Sequence, residues 1–186
     1  FINDAFGVCH RNHASNSSIL NYFDKNMIGY GFLIEKELKY FGNVINNPPK
    51  PFSLVLGGAK IEDKIKMIIN MLNNADNLII GGKMAFSFLK ALDMNIGGVE
   101  VDSENVQIAR DIINLSKNKN VNIYLPLDFI CVQDSGNLEK WSILDVNSQS
   151  IHDLGYDIGP ETSYSYGEIL KESKCILWNG PMGMFE

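Results

Sequence analysis

The sequence predicts an α/β fold built on a mainly parallel sheet. Three observations carry the prediction. Short apolar runs alternate with amphipathic stretches of ten or more residues, the rhythm of βαβ units. Two of those runs end in a glycine pair, Gly57-Gly58 and Gly81-Gly82. A third ends in Asn179-Gly180-Pro181, a turn sequence in the same position relative to its strand.

The elements follow in order. Residues 1–6 read as a strand, closed by Gly7, and a polar stretch over residues 9–18 holds a dense His/Arg group. Residues 30–44 carry Phe32, Leu33, Leu38, Phe41 and Val44 at helical spacing. Asn47-Pro48-Pro49 stops that helix, because proline lacks an N–H and pushes its predecessor out of the helical region. Residues 52–56 are a strand. Residues 61–72 are a helix with Ile65, Ile68, Ile69 and Leu72 on one side. Residues 77–80 are the next strand, followed by helices over 84–92 and 103–116, the latter with Val106, Ile108, Ile112 and Leu115. Strands are expected at 121–125 and 129–132, with short or irregular extended segments at 141–146 and 151–154. A helix over 162–171, capped by Thr162 or Ser163, leads to a last strand at 175–178. Trp178 reads as a core residue.

Composition narrows the function classes. The 186 residues are 45% hydrophobic and 20% charged, which suits a packed core and excludes a disordered chain. No apolar run reaches membrane-spanning length. A net charge of −6 argues against a general nucleic-acid surface but leaves room for a local anion site. The three cysteines, Cys9, Cys131 and Cys175, are odd in number and scattered, which fits reduced thiols in a cytoplasmic protein. Neither end resembles a domain boundary, so the chain is expected to be a piece of a longer protein.

In an open parallel sheet, ligands sit beyond the carboxyl ends of the strands. The loops at 57–60, 81–83 and 179–184 are therefore the candidate site. Gly57-Gly58-Ala59-Lys60 is read as opening a helix, where free N–H groups and the dipole favour an anion. Lys60 and Lys64, four apart, would share one helical face and suit a polyphosphate. The same residues also suit a plain strand-to-helix turn with two solvated lysines. Gly81-Gly82 would let a base or ribose lie against backbone, or simply let helix and strand pack closely. Asn179 could bond a phosphate or a ribose, and Glu186 could accept from ribose hydroxyls. His10-Arg11-Asn12-His13 lacks further ligands for a metal and reads better as an anion contact through Arg11, or as a polar surface loop. Asp128 and Asp157 would orient a metal–nucleotide complex or cap turns.

Taken together, FINDAFGVCHRNHAS, EKELKYF, LGGAKIEDKI, IIGGKMAFSFLKA, LPLDF, DIGPET and WNGPMGMFE resemble the 3-phosphoglycerate kinase family in kind and order across the whole chain. The resemblance implies a Rossmann-like, doubly wound nucleotide domain over residues 51–186, incomplete at its C-terminus. It also implies a hinge helix and linker over 29–50, and a remnant of a second α/β, substrate-binding domain over 1–28. The implied reaction moves a phosphoryl group between 1,3-bisphosphoglycerate and Mg-ADP, giving 3-phosphoglycerate and Mg-ATP. By resemblance, His10, Arg11 and His13 face substrate phosphate, and Arg11 and Lys64 serve the transferring group. Gly58, Lys60, Lys64, Gly81, Gly82, Gly155, Tyr156, Asn179, Pro181 and Glu186 belong to the nucleotide site. Mg2+ would accompany ADP or ATP, with no metal ligand in this chain. The parent is expected to be a cytoplasmic monomer that binds no nucleic acid and no membrane. Lys83 and Tyr156 depart from the family pattern, the first where a small residue is usual and the second where an aliphatic one is. The glycine-rich loop that brings the family's metal-binding Asp is absent, so this chain alone is expected to be inactive or weakly nucleotide-binding. The alternative is a naturally truncated, non-catalytic nucleotide-binding or interaction module.

Overall fold

The computed structural model describes residues 1–133 and 139–184, with the backbone alone at Asn43. The chain divides into two compact units, Phe1–Pro48 and Pro49–Glu186.

In the first unit, β1 (Ile2–Asn3) pairs in parallel with β2 (Gly29–Tyr30). The expected six-residue strand is cut to two residues because Asn3 and Asp4 have other hydrogen bonds to make. Asn3 Oδ1 accepts from the N–H of Ala5 at 3.0 Å, an Asx turn that ends the extended run. The Asp4 carboxylate accepts from the N–H groups of Leu33 (3.2 Å) and Ile34 (2.9 Å). Those two donors open α1 (Phe32–Asn46), where carboxylate capping satisfies otherwise orphaned N–H groups. The helix stops just before Pro48, as the proline pair dictates. Three short 3-10 turns fill the rest. Phe32, Leu33, Leu38, Tyr40 and Ile45 are all exposed, so this unit has little core of its own.

The second unit holds a four-stranded sheet in the order β5 (Asn122–Tyr124), β4 (Asn77–Ile80), β3 (Phe52–Leu56), β9 (Cys175–Asn179), every pair parallel. All five residues of β3 are buried, as expected of a strand covered on both faces. The crossovers are α2 (Ile65–Met71), α3 (Ala85–Ala91), α4 (Ser103–Asn118) and α5 (Pro160–Glu172). A second, antiparallel sheet runs β7 (Trp141–Asp145), β6 (Asp128–Val132), β8 (Leu154–Ile158). Its inner face packs on α3 through Phe86, Leu89, Phe129, Cys131 and Val146, with the Phe86 and Phe129 rings stacked at 4.6 Å.

Four further expectations need correction. The helix expected over 61–72 begins as a 3-10 turn (Glu62–Lys64), and its α-helical part starts only at Ile65. Strand β8 starts at the last residue of the segment expected at 151–154 and runs on to Ile158, where no strand is expected. Its pattern is hidden in sequence by Gly155, where a side chain would stand 2.5 Å from the Phe86 ring, and by a bulge opposite Ile130/Cys131. Trp178 is not core: it is 56% exposed on β9, with Nε1 donating to the Gly180 carbonyl at 2.8 Å.

The fourth correction concerns α5, which starts at Pro160 and is not capped by its own Thr162 or Ser163. The cap is Asp128, from β6. Its buried carboxylate accepts from the N–H groups of Glu161 (3.0 Å) and Thr162 (2.8 Å) and from Thr162 Oγ1 (2.6 Å). Thr162 Oγ1 in turn accepts from the N–H groups of Leu127 (2.9 Å) and Asp128 (3.0 Å). Asp128 is thereby committed to the fold.

Asp153 closes the loop before β8. Its carboxylate accepts from Ser150 N–H (2.7 Å), Ser150 Oγ (2.8 Å) and Gln133 Nε2 (3.1 Å). The Ser150 bonds are the main cause holding its carboxyl below the usual range. A folded-state pKa below the unfolded one adds stability above the unfolded value, and that stability is lost as pH falls through the folded value. Asp153→Asn should therefore destabilise the protein by about 1–3 kcal/mol at pH 7, the scale for hydrogen bonds to a charged group. The gap should begin to narrow as pH falls below about 4 and go on narrowing towards the lower folded value. Denaturant melts at pH 7 and pH 3 check it, and an equal loss at both would disprove the linkage.

Candidate nucleotide site

The loops after β3, β4 and β9 meet at one end of the parallel sheet, because parallel neighbours deliver their carboxyl ends to the same side. They are stitched together by backbone. Gly57 N–H donates to Asn179 O (3.0 Å), Gly58 N–H to Pro181 O (2.8 Å), and Gly82 N–H to Met182 O (2.5 Å). Met84 N–H donates to Gly58 O at 3.1 Å, closing the third side. The spacing explains the glycines. At Gly82 φ is +65°, and a Cβ would stand 2.4 Å from the Gly58 nitrogen. At Gly57 a Cβ would meet the Pro181 carbonyl oxygen at 1.9 Å. No side chain fits between these strands' ends.

Above this backbone floor opens a cavity of about 650 Å³, within the range of small-molecule sites. Gly58, Ala59 and Gly82 form its base, and Pro181, Gly183 and Met184 one wall. Leu154, Gly155 and Tyr156 of β8 form another, and Gly98, Val99, Glu100 and Lys83 complete it. A second cavity of about 380 Å³ adjoins it, sharing Ala59, Lys83 and Glu100. Lys60, Ser87 and Asn105 line that one.

The sequence-predicted residues divide accordingly. Gly58, Gly82, Gly155, Tyr156 and Pro181 line the main cavity. Gly81 lies beneath it, where a Cβ would press on Met182. Lys64 and Asn179 are brought together: Lys64 Nζ donates to Asn179 Oδ1. The lysine's Cε runs 3.8 Å from the Cβ position of Gly58, beside the cavity floor. Lys60 does not share a helical face with Lys64, because α2 begins one residue after Lys64; it lines the second cavity instead. For the same reason no helix N-terminus stands at residues 57–60. His10, Arg11 and His13 lie exposed in the first unit, where Arg11 Nε donates to His10 Nε2 at 3.3 Å. Glu186 lies outside the described residues. Asp157 Oδ1 accepts from the N–H of Ile158 at 2.7 Å and crowds Gly183.

Sequence reasoning missed Gly98, Val99, Glu100 and Leu154. One signal was there: Gly97-Gly98 is a further glycine pair, and a Cβ on Gly98 would meet the Ile151 carbonyl at 2.4 Å. Among the described residues, no three His, Cys, Asp or Glu side chains converge on a metal position, and no helix is long and apolar enough to cross a membrane.

Comparison with known proteins fits this geometry. Residues 1–186 match the family described as phosphoglycerate kinase. A solved phosphoglycerate kinase from Coxiella burnetii superposes with a TM-score of 0.89 at 32% identity, covering 100% of this chain and 47% of that one. The enzyme from Pyrococcus horikoshii OT3 superposes with a TM-score of 0.76 at 29% identity, covering 99% of this chain and 46% of that one. The chain thus spans about half the length of the solved structures it matches.

Proposed function

The chain belongs to the phosphoglycerate kinase family, and from that premise we propose that the protein carrying it transfers a phosphoryl group between 1,3-bisphosphoglycerate and Mg-ADP. Its products are 3-phosphoglycerate and Mg-ATP. In this reading the second unit holds the nucleotide and the first contributes His10, Arg11 and His13 to the acid substrate's phosphate. The observation that carries it is the main cavity, floored by glycine backbone at the carboxyl edge of a parallel sheet. An aromatic base finds apolar walls in Val99, Leu154 and Pro181, and a ring to lie against in Tyr156. The phosphates leave towards Lys64 and Asn179, beside Gly58.

The chemistry asked of these residues is modest. Phosphoryl transfer proceeds through a loose transition state and is served by positioning and charge neutralisation. Asn179 holds the Lys64 ammonium at the strand end, and the flexible lysine stem lets the charge follow the moving group. Mg2+ would accompany the nucleotide phosphates and neutralise their charge. Activity requires what the longer protein adds, and the chain alone is expected to bind nucleotide weakly.

Calorimetric titration of this chain with ADP tests the reading. Binding should be measurable and about ten- to a few hundred-fold weaker than in the full-length protein, the cost of one or two charge-assisted contacts. Tyr156→Ala should weaken it about tenfold further, the low end for losing an aromatic ring against a base. A folded chain that binds no purine nucleoside diphosphate or triphosphate overturns the proposal.

A further inference from the structure

Two charged side chains stand where the two cavities join. Lys83 and Glu100 line both, and neither side chain makes a hydrogen bond or ion pair among the described residues. Beyond them, Asn105 lines the second cavity with its Oδ1 buried and without a partner. An unpartnered buried acceptor is costly and calls for a donor. The end of the main cavity is therefore not a closed apolar wall. It presents a carboxylate and an ammonium.

Charge decides which part of a nucleotide meets this end. Phosphates repel a carboxylate, so they lie away from Glu100, on the side where Lys64 and Asn179 meet. The base edge is then the part that faces Glu100 and Lys83. The two purines differ there. Guanine offers two adjacent donors, N1–H and N2–H, and an acceptor, O6, while adenine offers the N6 amino group beside the bare N1 acceptor. A carboxylate accepts both guanine donors, with the ammonium left for O6. Against adenine the same carboxylate gains one donor and faces a lone pair.

We propose that Lys83 and Glu100 are specificity-determining residues that make this cavity prefer a guanine nucleotide to an adenine one. Glu100 pairs with the two N–H donors of the base, and Lys83 with its carbonyl oxygen. The inference rests on the reading of the cavity as a nucleotide site. Sites built to hydrogen-bond a ligand reject analogues that leave their groups unpaired.

The test is calorimetric titration of this chain with GDP, IDP and ADP, and of Glu100→Gln with the same three. IDP keeps N1–H and O6 but lacks the 2-amino group. For the natural chain GDP should bind at least tenfold more tightly than ADP, with IDP between. Glutamine keeps the size of the side chain but offers one acceptor and one donor, which match adenine N6 and N1. Glu100→Gln should bring ADP level with GDP or ahead of it. Glu100 has no partner among the described residues, so the variant should melt with the natural chain. If all three nucleotides bind the natural chain equally, or ADP binds best, the specificity inference is wrong and the nucleotide reading stands. A ratio that Glu100→Gln leaves unmoved also refutes it. If none of the three binds, the nucleotide reading falls and takes this inference with it.

Discussion

Replacing Lys64 by alanine in the full-length protein should lower kcat by about 10²–10³-fold, the scale for removing one preorganised group that stabilises transition-state charge. Nucleotide affinity should stay nearly intact. The argument starts from where the lysine sits. It lies beside Gly58 at the cavity floor and is held by Asn179 at the end of β9, outside both cavities. On the proposed reading it meets the far end of the phosphate chain rather than the base. A contact that strengthens only as the group transfers appears in kcat, whereas one made equally to bound nucleotide appears in KM. Lys60 lines the second cavity, so Lys60→Ala should act mainly on KM. Steady-state kinetics of both variants separate the two roles. A Lys64→Ala enzyme that keeps kcat within a factor of a few, with only KM changed, would make Lys64 a binding residue.

Much of this arrangement is legible in the sequence, and the exceptions share one cause. β3, β4 and β9 appear in the pattern because parallel, doubly covered strands are short apolar runs ended by turn residues. Their turn residues, two glycine pairs and Asn179-Gly180-Pro181, lie at one edge because parallel strands deliver their carboxyl ends to the same side. What escapes the pattern depends on partners far away in the chain. The cap of α5 comes from Asp128, over thirty residues earlier, so the expected local caps, Thr162 and Ser163, are wrong even though the helix is right. β8 escapes because Gly155 answers to the Phe86 ring rather than to strand alternation. Lys60 and Lys64 part company because Lys60 precedes the 3-10 turn that carries Lys64, and the α-helix starts only after both. Glu100 escapes because an exposed acid after a glycine pair looks like any solvated loop residue. Only the fold brings it to Lys83 at the cavity junction.

Gly82→Ala should damage fold and site together, whereas Gly167→Ala, another glycine of the same unit, should do the opposite. Gly82 sits at φ +65°, where an alanine costs about 1–2 kcal/mol in backbone strain. Its Cβ would also stand 2.4 Å from Gly58 N and 2.7 Å from Gly58 O. Those are backbone atoms, pinned by the Gly58–Pro181 and Met84–Gly58 hydrogen bonds, so the clash cannot be relieved by a side chain swinging away. Overpacking of that kind costs a further 1–3 kcal/mol or so. The total of about 2–5 kcal/mol should lower Tm by roughly 10 °C for a unit of this size. The loops that separate are the cavity floor, so ADP affinity at a temperature where the variant is still folded should drop at least tenfold. Gly167 lies within α5 with nothing inside 4 Å of its Cβ position, so alanine there adds helix propensity without contact. That variant should gain about 0.5–1 kcal/mol and bind nucleotide unchanged. Thermal melts and calorimetry on the pair give the answer. If Gly82→Ala melts with the natural chain and binds ADP as well, the loops are not held as closely as their hydrogen bonds require.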